Sequence, residues 1–102
     1  MSFLPIYEET LSADGSTSYA KVKGACWVSL SGTFGGGTAT IERKNAAGTA
    51  VAIAGESHTV AADRLIDFPD KSVNEVRVTI ASSTTPALAV SMQWSSPFND
   101  LS

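Results

Sequence analysis

The sequence predicts an all-β protein: a single-domain antiparallel β-sandwich, jelly-roll or Ig-like, of about eight short strands. Three observations carry this expectation. Apolar and polar residues alternate with a period of two in segment after segment. In "NEVRVTIAS", for example, Val76, Val78 and Ile80 share one face while Glu75, Arg77 and Thr79 share the other. Turn-forming residues punctuate the chain at roughly eight- to twelve-residue intervals, the rhythm of a sandwich or barrel. No window long enough for a stable helix carries an apolar stripe of helical period.

Taken in order, the first strand is expected over residues 6–12, "IYEETLS", and ends at the Asp14-Gly15 turn. "TSYAKVK" (17–23) follows. In "CWVSLSG" (26–32), Val28 and Leu30 oppose Trp27 and Ser29. Glycines then crowd 32–37, and "TATIERK" (38–44) alternates Ala39 and Ile41 against Thr38, Thr40, Glu42 and Lys44. "NAAG" (45–48) reads as a hairpin turn, with Gly48 supplying a positive φ. Residues 49–54 and 57–61 read as two further strands separated by a Gly55-Glu56 turn. An Ala62-Asp63 turn precedes "RLIDF" (64–68). After Pro69-Asp70, "NEVRVTIAS" and "ALAVSMQW" read as a second hairpin with 82–86 at its tip; Leu88, Val90, Met92 and Trp94 align on one face. The domain spans 1–102, with 1–5 and 96–102 as extended contact arms.

The bulk numbers bound the function. The chain has 102 residues, 43% hydrophobic and 17% charged, enough to bury a core without disulfides or metal. Its formal net charge is -3, and the seven Lys and Arg residues are scattered. That excludes the clustered basic face that nucleic acid requires. No run approaches the roughly 20 apolar residues of a membrane helix. "MSFLPIYEET" has no basic start before an apolar core, so a signal peptide is not expected. The single cysteine, Cys26, excludes an internal disulfide and a multi-cysteine zinc site.

The glycine run decides between chemistry and architecture. A phosphate loop needs lysine and Ser/Thr after its glycines, at the mouth of a helix. "GTFGGGTA" has no such lysine and leads into a strand, and its spacing does not fit a dinucleotide fingerprint. The run therefore reads as a corner between strands. Phe34 tucks into the core edge there, while glycines permit unusual φ or close backbone approach.

"CWVSLSGTFGGGTATIERKNAAGT" resembles a pattern of small tailed-bacteriophage virion proteins, on Trp27, Val28, Leu30, Gly32, Thr33, Phe34, Gly36, Thr38, Ile41 and Gly48. The resemblance implies a non-enzymatic structural protein of a phage particle, foremost a capsid decoration (cement) protein assembled in the host cytoplasm. A neck, tail or fibre component and a carbohydrate-binding sandwich are the alternatives. The expected partners are copies of the chain, in a ring-like or threefold homo-oligomer, and major capsid or other virion proteins. Neither nucleic acid nor membrane is expected. Phe3, Tyr7, Trp27, Phe34, Phe98 and Leu101 are the expected interface residues, since aromatic side chains are enriched at interfaces.

Candidate chemistry is sparse. His58 stands between Ser57 and Thr59 without an evident partner and reads as a solvated surface residue. Cys26 reads as a buried small hydrophobe. Asp63, Asp67 and Asp70 lack the spacing of a calcium loop and read as a solvated loop. Glu8 and Glu9 are adjacent on a strand and point to opposite faces. No catalytic residue, metal site or cofactor is expected.

Overall fold

The computed structural model describes residues 4–68 and 73–95. Phe3, Phe98, Leu101 and Asp70, with most of the two expected arms, lie outside them. Among the described residues nine strands form two antiparallel sheets packed face to face. One sheet, here sheet A, has the order β1-β9-β4-β7, from Leu4–Leu11, Ala87–Ser95, Ala25–Thr33 and Ala62–Asp67. Sheet B has the order β2-β8-β5-β6, from Gly15–Ser16, Val73–Ala81, Thr38–Lys44 and Ala50–His58; β3 (Ala20–Lys23) also pairs with β8.

The alternation read in the sequence places the core. Val28, Leu30, Leu88, Val90 and Met92 from sheet A meet Ala39, Ile41, Val76, Val78 and Ile80 from sheet B, and all are buried. Their neighbours along each strand face outward, as the period of two requires. Thr17 is the buried hydroxyl of this region. Its backbone N–H donates to the Val78 carbonyl at 2.9 Å, and its side-chain oxygen accepts from the Val78 N–H at 3.1 Å. The polar group is therefore carried into the interior fully bonded.

The 45–48 hairpin forms as expected. Asn45 Oδ1 accepts from the N–H groups of Ala47 (3.0 Å) and Thr49 (2.9 Å), and Gly48 takes φ +85°. It is the one connection among the described residues that joins sequence-adjacent strands paired to each other.

Four local expectations are corrected. β8 and β9 do not form a hairpin: β8 belongs to sheet B and β9 to sheet A, so 82–86 is an arch between sheets. The two apolar faces of those segments meet across the core instead of lying side by side. The predicted strands at 49–54 and 57–61 are one strand, Ala50–His58, and Gly55-Glu56 lies within it. Thr40 pairs with Ser57 but Glu42 with Ala52, so β6 loops out three surplus residues there, with Gly55 at φ +80°. A bulge that size shares its residue preferences with a turn. Ala62-Asp63 opens β7 and is not a turn. The 17–23 segment pairs as β3 only from Ala20, and Gly15–Ser16 adds a short strand of its own.

The glycine corner joins β4 of sheet A to β5 of sheet B, and it abuts the 82–86 arch. An added Cβ on Gly32 would fall well inside 3.0 Å of the Ala87 carbonyl oxygen, and one on Gly35 equally close to that of Thr84. One on Gly37 would sit 2.7 Å from the Ala81 oxygen. The Thr84 N–H donates to the Gly35 carbonyl at 2.9 Å. Ser82 (φ 60°) and Thr85 (φ 44°) hold left-handed backbone in the arch. Asp14 steadies it by accepting from the Ser83 N–H at 3.0 Å and from the Ser83 hydroxyl. These bonds hold the Asp14 carboxyl below its ordinary range. Phe34, 7% exposed, belongs to the core at this end.

Candidate functional site

Two arrangements of functional side chains stand out, one on the outer face of sheet A and one at its edge. Strand register builds the first. Trp27 on β4 lies opposite Gln93 on β9 and Leu65 on β7, and the next outward residue, Ser29, lies opposite Ser91 and Asp63. Trp27, Ser29, Asp63 and Gln93 line a shallow depression of about 370 Å³. A second, lined in part by Glu8, Thr10, Ser31 and Ala89, continues across the same face. Most of this surface is small and uncharged. Its carboxylates are Glu8, Asp63 and Asp67, and the only cation on these four strands is Arg64.

Arg64 is committed elsewhere. Its Nε and Nη2 donate to Glu56 Oε1 (2.8 Å) and Oε2 (3.1 Å), and His58 Nε2 lies 2.9 Å from Oε1. Glu56 comes from the β6 bulge at the edge of sheet B, and Arg64 from β7 at the edge of sheet A. The trio thus clasps the two sheets along one side. Glu56 is 7% exposed, and its bidentate pairing and contact with His58 satisfy the buried carboxylate.

His58 is therefore not the solvated, partnerless residue expected from sequence. It lies opposite buried Ala39, faces inward and is bonded to Glu56. Sequence reasoning missed the trio because it treated Glu56 as part of a turn. The readable signal was a carboxylate two residues before a histidine, hence on the same strand face, with an arginine after the next reversal. Nucleophilic catalysis would also need a hydroxyl or thiol within reach of the ring. Among the described residues, no such group shares a hydrogen bond with His58 beyond its bond to Glu56.

Arg64 is the foremost cause holding the Glu56 carboxyl below its ordinary value of 4.5; His58 acts in the same direction and burial opposes both. The folded protein thus binds this proton less tightly than the unfolded chain. The stabilisation is complete above the ordinary value and is lost as pH falls through the lowered one. Thermal midpoints measured from pH 7 to pH 3 should fall more steeply for the native chain than for Glu56→Gln. Asp14 titrates in the same direction in both proteins, so their difference reports Glu56 together with its contacts to Arg64 and His58. At neutral pH, Glu56→Gln should cost about 1.5–3 kcal/mol, the scale of a hydrogen bond to a charged group.

The remaining candidates fall into place. Cys26 is fully buried, and burial pushes its thiol up to about 12. A thiol held protonated is inert, so Ellman's reagent should leave the native protein unlabelled and titrate one thiol after denaturation. Labelling of the native protein at the rate of a free thiol would contradict this placement. Asp63 and Asp67 are exposed on β7, and no metal-holding group of carboxylates or other ligands occurs among the described residues. Glu8 and Glu9 do point to opposite faces: Glu8 is exposed, whereas Glu9 is half-buried and accepts from the Tyr7 hydroxyl. Of the expected interface residues, Trp27 is half-buried on the outer face. Tyr7 packs against the core. Phe34 is buried in the core, so its ring closes the end of the sandwich and offers little surface to a partner.

The outer face of sheet B is a charged network. Arg77 Nε donates to Glu42 Oε1 at 2.8 Å, Thr79 donates to the same oxygen at 2.7 Å, and Lys44 lies 3.5 Å from Glu75. Tyr19 lies under Lys44 and Arg77, 4.4 and 5.0 Å from its ring centre. Lys44 and Arg77 are thus each paired with a carboxylate on this face.

No protein-family model, curated protein or solved structure matches the chain.

Proposed function

We propose that this chain is a structural, non-enzymatic component of a bacteriophage particle, a capsid decoration protein that acts by protein–protein contact. The resemblance of the Trp27-to-Gly48 segment motivates the phage setting. One observation carries the contact mechanism. β6 and β7 are each an edge strand of their sheet, the Glu56–Arg64 pair places them on the same side of the sandwich, and exposed aliphatics accompany them. Val51 (36% exposed) is on β6, Val60 (69%) in the β6–β7 connection and Leu65 (48%) on β7. Unpaired strand edges beside exposed apolar groups favour pairing with another chain. A closed homo-oligomer, threefold or ring-like, covers them without runaway association.

The test is native mass spectrometry combined with co-sedimentation on empty tailed-phage shells. The native chain should form one closed oligomer and pellet with shells. Val60→Lys and Leu65→Lys change exposed side chains and should keep the fold, at a stability cost within about 0.5 kcal/mol, while losing both properties. A native chain that stays monomeric and remains in the supernatant overturns the proposal.

A further inference from the structure

We propose that the depression around Trp27 is a binding site for a neutral saccharide, a function separate from edge-mediated assembly. Its chemistry is amphipathic in the way a pyranose is. The indole of Trp27 supplies an apolar surface for the sugar's C–H face. Around it, Asp63 offers two acceptor oxygens, Gln93 a donor and an acceptor, and Ser29 a hydroxyl that does both. That set matches the adjacent hydroxyls of a sugar ring, each of which donates and accepts. At about 370 Å³ the depression lies at the lower end of small-molecule sites, which span about 300–1,000 Å³.

Two further features support the assignment. The four side chains project from β9, β4 and β7, neighbours in one sheet, so rigid backbone and not loop sets their spacing. Among the described residues, no hydrogen bond ties the Asp63 or Gln93 side chain to the rest of the domain, leaving both to meet a ligand. Charge then narrows the ligand. Glu8, Asp63 and Asp67 share this face, and Arg64, the one cation on these strands, is held by Glu56. Uronates, sialylated glycans and phosphorylated ligands would meet uncompensated negative charge. Neutral sugars would not.

The experiment is a ¹⁵N–¹H NMR titration of the whole chain with two panels of oligosaccharides. One panel is neutral (gluco-, galacto-, manno- and N-acetylglucosamine-based), and the other contains uronic or sialic acid. A neutral member should shift the amides of Trp27, Ser29, Asp63 and Gln93 to saturation, and the anionic panel should not. Trp27→Ala and Asp63→Asn should each weaken binding by about tenfold or more, as expected for losing a stacked ring or a charge-assisted hydrogen bond. Both changes lie on the solvent side of the sheet, and an unchanged thermal midpoint confirms that the fold survives. Absence of shifts with every neutral sugar overturns the proposal. So does binding unaffected by Trp27→Ala, or binding confined to anionic sugars. The titration requires no assembly, so its failure leaves the shell-binding result untouched.

Discussion

Gly32→Ala should cost about 3–4 kcal/mol and lower the thermal midpoint by roughly 15–25 °C in a domain of this size. Two costs combine. The residue holds φ +93°, where a side chain is strained, and its Cβ would drive into the Ala87 carbonyl oxygen. That oxygen belongs to β9, paired with β4 at this point, and cannot retreat without opening the sheet. Gly35→Ala should behave alike, because its Cβ would strike the Thr84 carbonyl in the arch. Gly36→Ala is the internal control. Its φ is +76°, but an added Cβ there meets nothing within 4 Å, so the loss should be only about 1 kcal/mol. Thermal or urea melts of the three variants decide the matter. Equal losses at Gly35 and Gly36 would show that backbone strain alone sets the cost and that the corner does not press on the arch.

Leu88→Ala should destabilise by about 2–5 kcal/mol, while the same change at Leu65 should cost less than about 1 kcal/mol. Leu88 is fully buried between the sheets; Leu65 is 48% exposed on the outer face. The chemistry removed is identical, so the difference measures which face is dry. Urea midpoints at unchanged slope provide the measurement. Similar losses for the two leucines would mean that the outer face of sheet A is buried in an assembly under the conditions of the melt.

The two predictions bear on function as well as stability. The corner and the arch lock the β4–β5 end of the sandwich, and the Glu56–His58–Arg64 clasp joins the sheets along the β6–β7 side. The outer face of sheet A lies apart from both devices, whereas the β6 and β7 edges flank the clasp. These are the surfaces proposed above for a saccharide and for assembly, and the substitutions at Trp27, Val60, Asp63 and Leu65 replace no residue of either locking device.

Much of this was legible along the chain. The period of two in 26–32, 38–44, 76–80 and 88–92 determined which side chains are buried, because a strand alternates faces whatever its partner. The Asn45-to-Gly48 turn was equally local: one side-chain oxygen and one positive φ suffice to make it. Excluding a phosphate loop at 32–37 needed only the missing lysine and the strand that follows. Tertiary structure alone decided the rest, since pairing across sheets leaves no periodic mark. Residues 73–95 alternate identically whether their two strands share a hairpin or face each other across a core, so the arch was invisible. Gly55-Glu56 carries turn chemistry that a bulge uses just as well, which hid the buried carboxylate. His58 could not be given its partner without knowing that β6 and β7 border the same side. A sequence specifies local conformation through forces acting over a few residues, whereas the clasp, the interlocked corner and the Trp27 depression exist only where distant strands come into register.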